Sequence, residues 1–290
     1  MIMLIAQVSD FHLKPEGLLA YGVADTASAL KRTVQHINHL NPRPNLVLVT
    51  GDLVDEGAPD SYIVLRGVLE GLIPPFVMVP GNHDDKEVLR KTFPEHDYLN
   101  HTVEDDGEDY LCYVLDDFPL RLIGLDTVTP GEHGGGFGPR RMAWLERTLT
   151  THPSRPTVVF MHHPPFASAI GHMDKEVFKG WKEFHAVLSR HAQVERVLCG
   201  HLHRPIFRRI GATVVSSCPA IGMQLYLDLR EEAPSTFIME PPSLMLHLWT
   251  TLWGEETLLT HTSIIPDHPA QYSGPHPFFG VVSPKTSLRR

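Results

Sequence analysis

The stretch Met3-Leu4-Ile5-Ala6-Gln7-Val8-Ser9-Asp10-Phe11-His12 decides the reading of this chain. Met3 to Val8 is a short apolar run of strand length, and it gives way at once to an acid and an imidazole. The same rhythm continues outward from it. Val23 to Leu40 has the periodicity of an amphipathic helix, Leu46 to Val49 reads as a second strand, Asp60 to Glu70 as a helix and Phe76 to Val79 as a third strand. Strands alternating with helices predict βαβ units and a parallel sheet with helices outside it.

Further on, Tyr110 to Leu115 and Leu120 to Leu125 read as a hairpin joined at Asp116-Asp117-Phe118-Pro119. Arg140 to Leu149 predicts a helix, Thr157 to Met161 a strand, Glu176 to Arg190 a helix and Val194 to Cys199 a strand. After His203 the pattern is β-rich, with strands expected at Ile206 to Ile210, Thr213 to Ser217, Met223 to Leu229, Ser243 to Thr250 and Thr257 to Ile265. The fold class expected is α/β: two sheets packed face to face with helices on both outer sides. Residues 1–217 would form the core. Residues 218–265 would supply a β-rich cap or dimerisation element together with the remaining core strands, and 266–290 an irregular tail rich in Pro, Gly, His and Ser.

Composition narrows the function. The chain has 290 residues, 42% hydrophobic and 20% charged, as expected of an ordinary globular protein near the size limit of one core. Its formal charge of -9 would repel a long polyanion, so no nucleic-acid polymer is expected as a partner. Cys112, Cys199 and Cys218 have neither paired nor metal-type spacing, which suits a reducing compartment. Met1 to Val8 is too short to cross a membrane and lacks the basic start of a signal peptide, so the expectation is a cytoplasmic protein without membrane contact.

Five segments each set metal-capable groups directly after an expected strand: Asp10-Phe11-His12, Gly51-Asp52, Gly81-Asn82-His83-Asp84, His162-His163-Pro164-Pro165 and Gly200-His201-Leu202-His203. Taken singly, each has a plain structural reading. Asp-x-His suits a helix cap, Gly-Asp and Gly-Asn suit tight turns, and prolines stop strands. Taken together they do not, because ligands of α/β sheets collect beyond the carboxyl ends of the strands. Five coincidental turns would not supply a full set of oxygen and imidazole donors there.

In this order the blocks resemble those of the calcineurin-like metallophosphoesterases, over positions 10 to 203. The Gly-Asn-His-Asp-Asp form at 81 to 85, His-His-Pro-Pro at 162 to 165 and Tyr21-Gly22 are similar to the bacterial cyclic-nucleotide phosphodiesterase and glycerophosphodiesterase branch. Tyr272-Ser273-Gly274-Pro275 resembles the glycerophosphodiesterase members more weakly. The resemblance implies a four-layer αββα sandwich. It implies one metal on Asp10, His12, Asp52 and His203, and a second on Asp52, Asn82, His162 and His201. It also implies His83 as a phosphoryl-stabilising group or leaving-group acid, oriented by Asp84, with Asn82, His83 and Tyr21 facing substrate. Two divalent ions (Mn²⁺, Fe²⁺, Co²⁺ or Zn²⁺) would then present a hydroxide to a small phosphodiester, either a 3′,5′-cyclic nucleotide or a glycerophosphodiester. A homo-oligomer is expected on the same ground. Alternatives are a phosphomonoesterase or protein phosphatase of the same fold, and a non-catalytic module that keeps the metal scaffold. Gly131 to Gly138 lacks the Gly-Lys-Ser/Thr ending of a nucleotide-binding loop and reads as a mobile loop near the site.

Overall fold

The computed structural model describes residues 2–268 and 271–272. The weaker tail resemblance at Ser273-Gly274-Pro275 therefore lies outside the described residues. In chain order the elements are β1 (Met3–Val8), α1 (Thr26–His39), β2 (Leu46–Val49), α2 (Pro59–Leu69), β3 (Phe76–Met78), α3 (Lys86–Thr92), β4 (Thr102–Asp105), β5 (Glu108–Leu115), β6 (Arg121–Leu125), α4 (Pro139–Thr150), β7 (Thr157–Met161), α5 (Trp181–Arg190), β8 (Val194–Cys199), β9 (Phe207–Ile210), β10 (Thr213–Ser217), β11 (Gln224–Leu225), β12 (Phe237–Ile238), β13 (Ser243–Leu252) and β14 (Glu255–Ile264).

Two large sheets result. The first runs β14-β13-β1-β2-β3, and the second β4-β5-β6-β7-β8-β10-β9. Strands β1, β2 and β3 are parallel to one another, as are β6, β7, β8 and β10. β13 joins β1 antiparallel, so the chain returns late to complete its first sheet. The period of two along β7 shows how the layers stack. Val158 and Phe160 join the core shared with the first sheet, whereas Val159 and Met161 pack with Leu145 and Leu149 of α4 and Phe184 and Leu188 of α5. The opposite face of the first sheet is covered by Leu30, Val34 and Ile37 of α1 and by Tyr62 and Leu65 of α2. This is the αββα sandwich expected from the sequence.

Local chemistry corrects several boundaries. α1 begins at Thr26 rather than Val23, because Ala20 and Ala24 close a turn and the Asp25 carboxylate accepts from the Ser28 amide as the helix cap. α5 begins five residues later than expected. Lys179 is held in a loop by backbone bonds to Gly135 and Phe137, and Gly180 is left-handed at φ 81°. The strand expected over Met223 to Leu229 shrinks to β11, paired only with β12. No described helix is long and apolar enough to cross a membrane.

Candidate metal centre

All five sequence blocks sit just past the carboxyl ends of parallel strands: β1, β2 and β3 in the first sheet, β7 and β8 in the second. The rim where the two sheets meet is thereby lined from both sides. The turns there are strained. Among the described residues nine non-glycine positions have positive φ, and five of them are Asp10, His12, Asp52, His201 and His203. Gly51, at φ 93°, passes so close to the His162 imidazole that a Cβ would collide with it, and Gly81 presses in the same way on the Asp52 carboxylate. Glycine in these blocks is needed for close approach.

Hydrogen bonds stitch the blocks together. The amides of Phe11 and His12 donate to the Asp52 carbonyl at 2.8 and 3.1 Å. The His83 amide donates to Asp52 Oδ1 at 3.0 Å. Across the two sheets, the His201 amide donates to both Asp10 carboxylate oxygens at 3.0 and 3.1 Å.

The side chains then converge. His12 Nε2 and His203 Nε2 face each other at 3.0 Å, with Asp10 Oδ1 3.4 Å from His203 Nε2. Asp52 Oδ2 lies 3.6 Å from His12 Nε2 and 3.3 Å from His162 Nε2, between the two groups of donors. Asn82 Oδ1 is 3.2 Å from His162 Nε2. Groups able to hold a cation include Asp10 with His12 and His203, Asp10 with Asp52 and His162, and His162 with His163 and His201. All seven residues expected as ligands are therefore brought to one place.

The imidazoles are wired to present lone pairs inward. His162 Nδ1 donates to the Thr50 carbonyl at 2.7 Å, His203 Nδ1 to the Met223 carbonyl at 3.0 Å, and His12 Nδ1 to Asp55 Oδ1 at 3.2 Å. A carbonyl or carboxylate cannot donate, so Nδ1 carries the proton and a neutral ring is left with a bare Nε2. Two such nitrogens 3.0 Å apart need a proton or a metal ion between them. A divalent cation fits this donor set.

The two buried acids draw positive charge to the same place, and Asp10 raises His203 against the burial that would lower it. Burial alone would raise Asp10 and Asp52, yet His203 beside the first and His162 beside the second hold both below the usual carboxylate range. Burial would lower His162, but the facing Asp52 carboxylate, with Asp10 beyond it, lifts it to about 9. Burial and the neighbouring His162 push His201 down to about 3.

Within the pair 162–163, both Nε2 atoms lie 3.2 Å from Asn82 Oδ1, and that of His162 also faces Asp52 Oδ2 at 3.3 Å. His163 Nε2 donates to the His133 carbonyl at 3.1 Å, and its Nδ1 pairs with Thr127 Oγ1 at 2.9 Å. The Gly131 to Gly138 loop thus lies against the site through His133, and its Gly136 amide is tied to the Thr127 carbonyl.

The role expected of Asp84 needs correction. Its carboxylate accepts from the amides of Gly81, Leu53 and Val54 and from the Tyr62 hydroxyl, and it makes no hydrogen bond to the His83 ring. Burial, aided by the Asp52 charge, raises it to about 7. His83 is held instead by its Nδ1 donating to the Asp55 backbone carbonyl at 2.6 Å. The sequence reading missed Asp55, which also takes His12 Nδ1 and, at 2.7 Å, Lys14 Nζ. Its only signal was a second carboxylate three residues after Asp52. Tyr21 stands at the rim, exposed, its ring 6.4 Å from His12 and 5.7 Å from Phe237.

Comparison with known proteins bears on this arrangement. The family model for calcineurin-like phosphoesterases matches residues 3–205. A probable glycerophosphodiester phosphodiesterase of Arcobacter nitrofigilis is 38% identical over 278 residues, covering 96% of this chain and 97% of that one. A probable cyclic nucleotide phosphodiesterase of a Synechococcus strain is 32% identical over 231 residues, 77% of this chain and 82% of that one. In fold, a dimetal phosphatase of Danio rerio superposes with a TM-score of 0.60 at 15% identity, over 91% of this chain and 99% of that chain. With its motif blocks, sandwich and relatives in agreement, the chain belongs to the calcineurin-like phosphoesterase family and is a hydrolase of phosphate esters.

Proposed function

We infer that the chain is a dinuclear-metal phosphodiesterase acting on small phosphodiesters, either 3′,5′-cyclic nucleotides or glycerophosphodiesters. The observation that carries the metal assignment is the opposed pair His12 Nε2 and His203 Nε2, 3.0 Å apart with both Nδ1 atoms committed elsewhere. Asp10, His12, Asp52 and His203 would hold one ion; Asp52, Asn82, His162 and His201 would hold the other. Asp52 suits the bridging position because Oδ2 lies between His12 and His162. Divalent ions bound there supply Lewis-acid polarisation of the phosphoryl group and a water of lowered pKa.

The chain's own residues do the rest. Asp10 and Asp52 fix the charge of the site, and their two negative charges against two divalent ions leave it attractive to a monoanionic diester. Asn82 would contribute a neutral amide oxygen, a weaker ligand than a carboxylate, to the second ion. His83, its Nδ1 proton spent on the Asp55 carbonyl, keeps Nε2 for a phosphoryl oxygen or for delivering a proton to the leaving alkoxide. Its ring packs edge-on against His12, with centroids 4.6 Å apart, which fixes it beside the first metal position.

The diester specificity draws support from the named activities of the relatives. A cap formed by β11–β12 and the segment between them is proposed on the exposed Tyr226, Leu227 and Leu229 it carries, and the same apolar surface supports a homo-oligomer. The direct test is turnover by Mn²⁺-loaded protein of cyclic AMP, glycerophosphoethanolamine, a phosphomonoester and a phosphopeptide. Faster cleavage of either diester is expected. A protein that cleaves only monoesters would overturn the assignment.

A further inference from the structure

Next to the centre lies a cavity of about 390 Å³ that the chemistry above does not use. His163 and His201 form its inner wall, so it opens directly onto the cluster that joins them to His162. Its sides are apolar and aromatic: Pro165, Phe166, Met173, Val177, Phe178 and Trp181. That volume lies within the range of about 300–1,000 Å³ typical of sites that enclose a small-molecule ligand. A glycerol or ethanolamine group has neither the size nor the apolar surface to fill it.

Its polar groups are unequally engaged. The Asp174 carboxylate accepts from the amides of Ser168 and Ala169 and from the Ser168 hydroxyl, and Glu176 accepts from the Gly134 amide. Arg208, on the exposed edge strand β9, pairs with no carboxylate among the described residues. It therefore offers guanidinium N–H donors to whatever enters. Aromatic walls with a donor at the rim suit a flat heteroaromatic ring that carries acceptors at its edge.

We propose that this cavity is a base subsite: it receives the heteroaromatic base of a nucleotide diester whose phosphate lies at the metal centre, with Trp181 and Phe166 packing against the ring and Arg208 donating to its edge. The proposal rests on the phosphodiesterase reading and narrows it towards nucleotide substrates.

The test compares 3′,5′-cyclic AMP with methyl riboside 3′,5′-cyclic phosphate, in which methoxy replaces adenine. Both have the same phosphate ring and the same leaving groups. In the Mn²⁺-loaded full chain, kcat/KM for cyclic AMP should exceed that for the base-less ester by about tenfold or more, the scale of one base stacked on an aromatic side chain. Trp181→Ala and, independently, Arg208→Ala should each pull that ratio towards one. Arg208 sits on the surface, so its variant remains informative if Trp181→Ala fails to fold. Equal kcat/KM values in the parent protein, or a ratio that neither variant alters, would overturn the base subsite and leave the phosphodiesterase reading standing. So would turnover of glycerophosphoethanolamine with neither cyclic ester cleaved. Absence of turnover with all three would sink the phosphodiesterase reading, and the subsite with it.

Discussion

Asp55 holds His83 through its backbone and not through its acid. The carbonyl oxygen lies 2.6 Å from His83 Nδ1, whereas the nearer carboxylate oxygen is 4.0 Å away and serves His12 and Lys14 instead. One residue thus supports both a candidate ligand and the candidate acid, by separable atoms. Asp55→Ala keeps the carbonyl and removes the partner of His12 Nδ1. Metal affinity should fall about 10–100-fold, the usual effect of losing a carboxylate behind a ligating imidazole. At saturating metal, the basic limb of the pH–rate profile should stay in place. Isothermal titration with Mn²⁺ and a pH profile of kcat check the two halves separately.

His83 and Asn82 are neighbours with different duties. His83→Ala should lower kcat by about 10²–10⁴-fold, the range for loss of a positioned acid, with metal content per chain unchanged. Asn82→Ala should instead lose activity at limiting metal and recover part of it as metal is raised. Kinetics over a metal titration, paired with elemental analysis, distinguish the two.

Gly51→Ala tests the close approach at the second block. Left-handed backbone costs an L-residue about 1–2 kcal/mol, and here the added methyl also meets the His162 ring. Gly17 has a similar φ of 80° and open space around it, so Gly17→Ala carries the backbone cost alone. Thermal unfolding should place Gly51→Ala clearly below Gly17→Ala, and Mn²⁺ affinity should fall only in the former.

Acid sensitivity should trace in part to His247, which is buried between Gln7 Oε1 at 3.1 Å and Thr260 Oγ1 at 2.9 Å. Burial, with a smaller push from Arg196, lowers it to about 3 from an ordinary value near 6.5. The folded state therefore favours the neutral ring. Its contribution is complete above pH 6.5 and is lost as pH falls towards 3, at up to about 1.4 kcal/mol per pH unit. Urea unfolding at pH 7, 6 and 5 should show a steeper loss for the parent chain than for His247→Asn. Parallel slopes would contradict this.

Much of this was legible in the sequence because the site lies at the ends of continuous apolar strands. Met3–Val8, Leu46–Val49, Thr157–Met161 and Val194–Cys199 have the boundaries read from the sequence, each being an apolar run closed by a polar motif. What escaped notice lacked such a pattern. α3 is seven residues long and buries only Leu89, so no helical stripe shows, although the Asp85 carboxylate caps it. β4 is a polar edge strand paired only with β5. Val177 and Phe178 mimicked the start of α5, but they line the cavity beside the centre. Asp55 acts through contacts that spacing does not encode.

The central claim is that two cations share Asp52. Anomalous diffraction from crystals soaked in Mn²⁺ tests it most directly. The account predicts two peaks roughly 3.5–4 Å apart, one contacting Asp10, His12 and His203, the other Asn82, His162 and His201, with Asp52 reaching both. A single peak, or two that do not share Asp52, would contradict it.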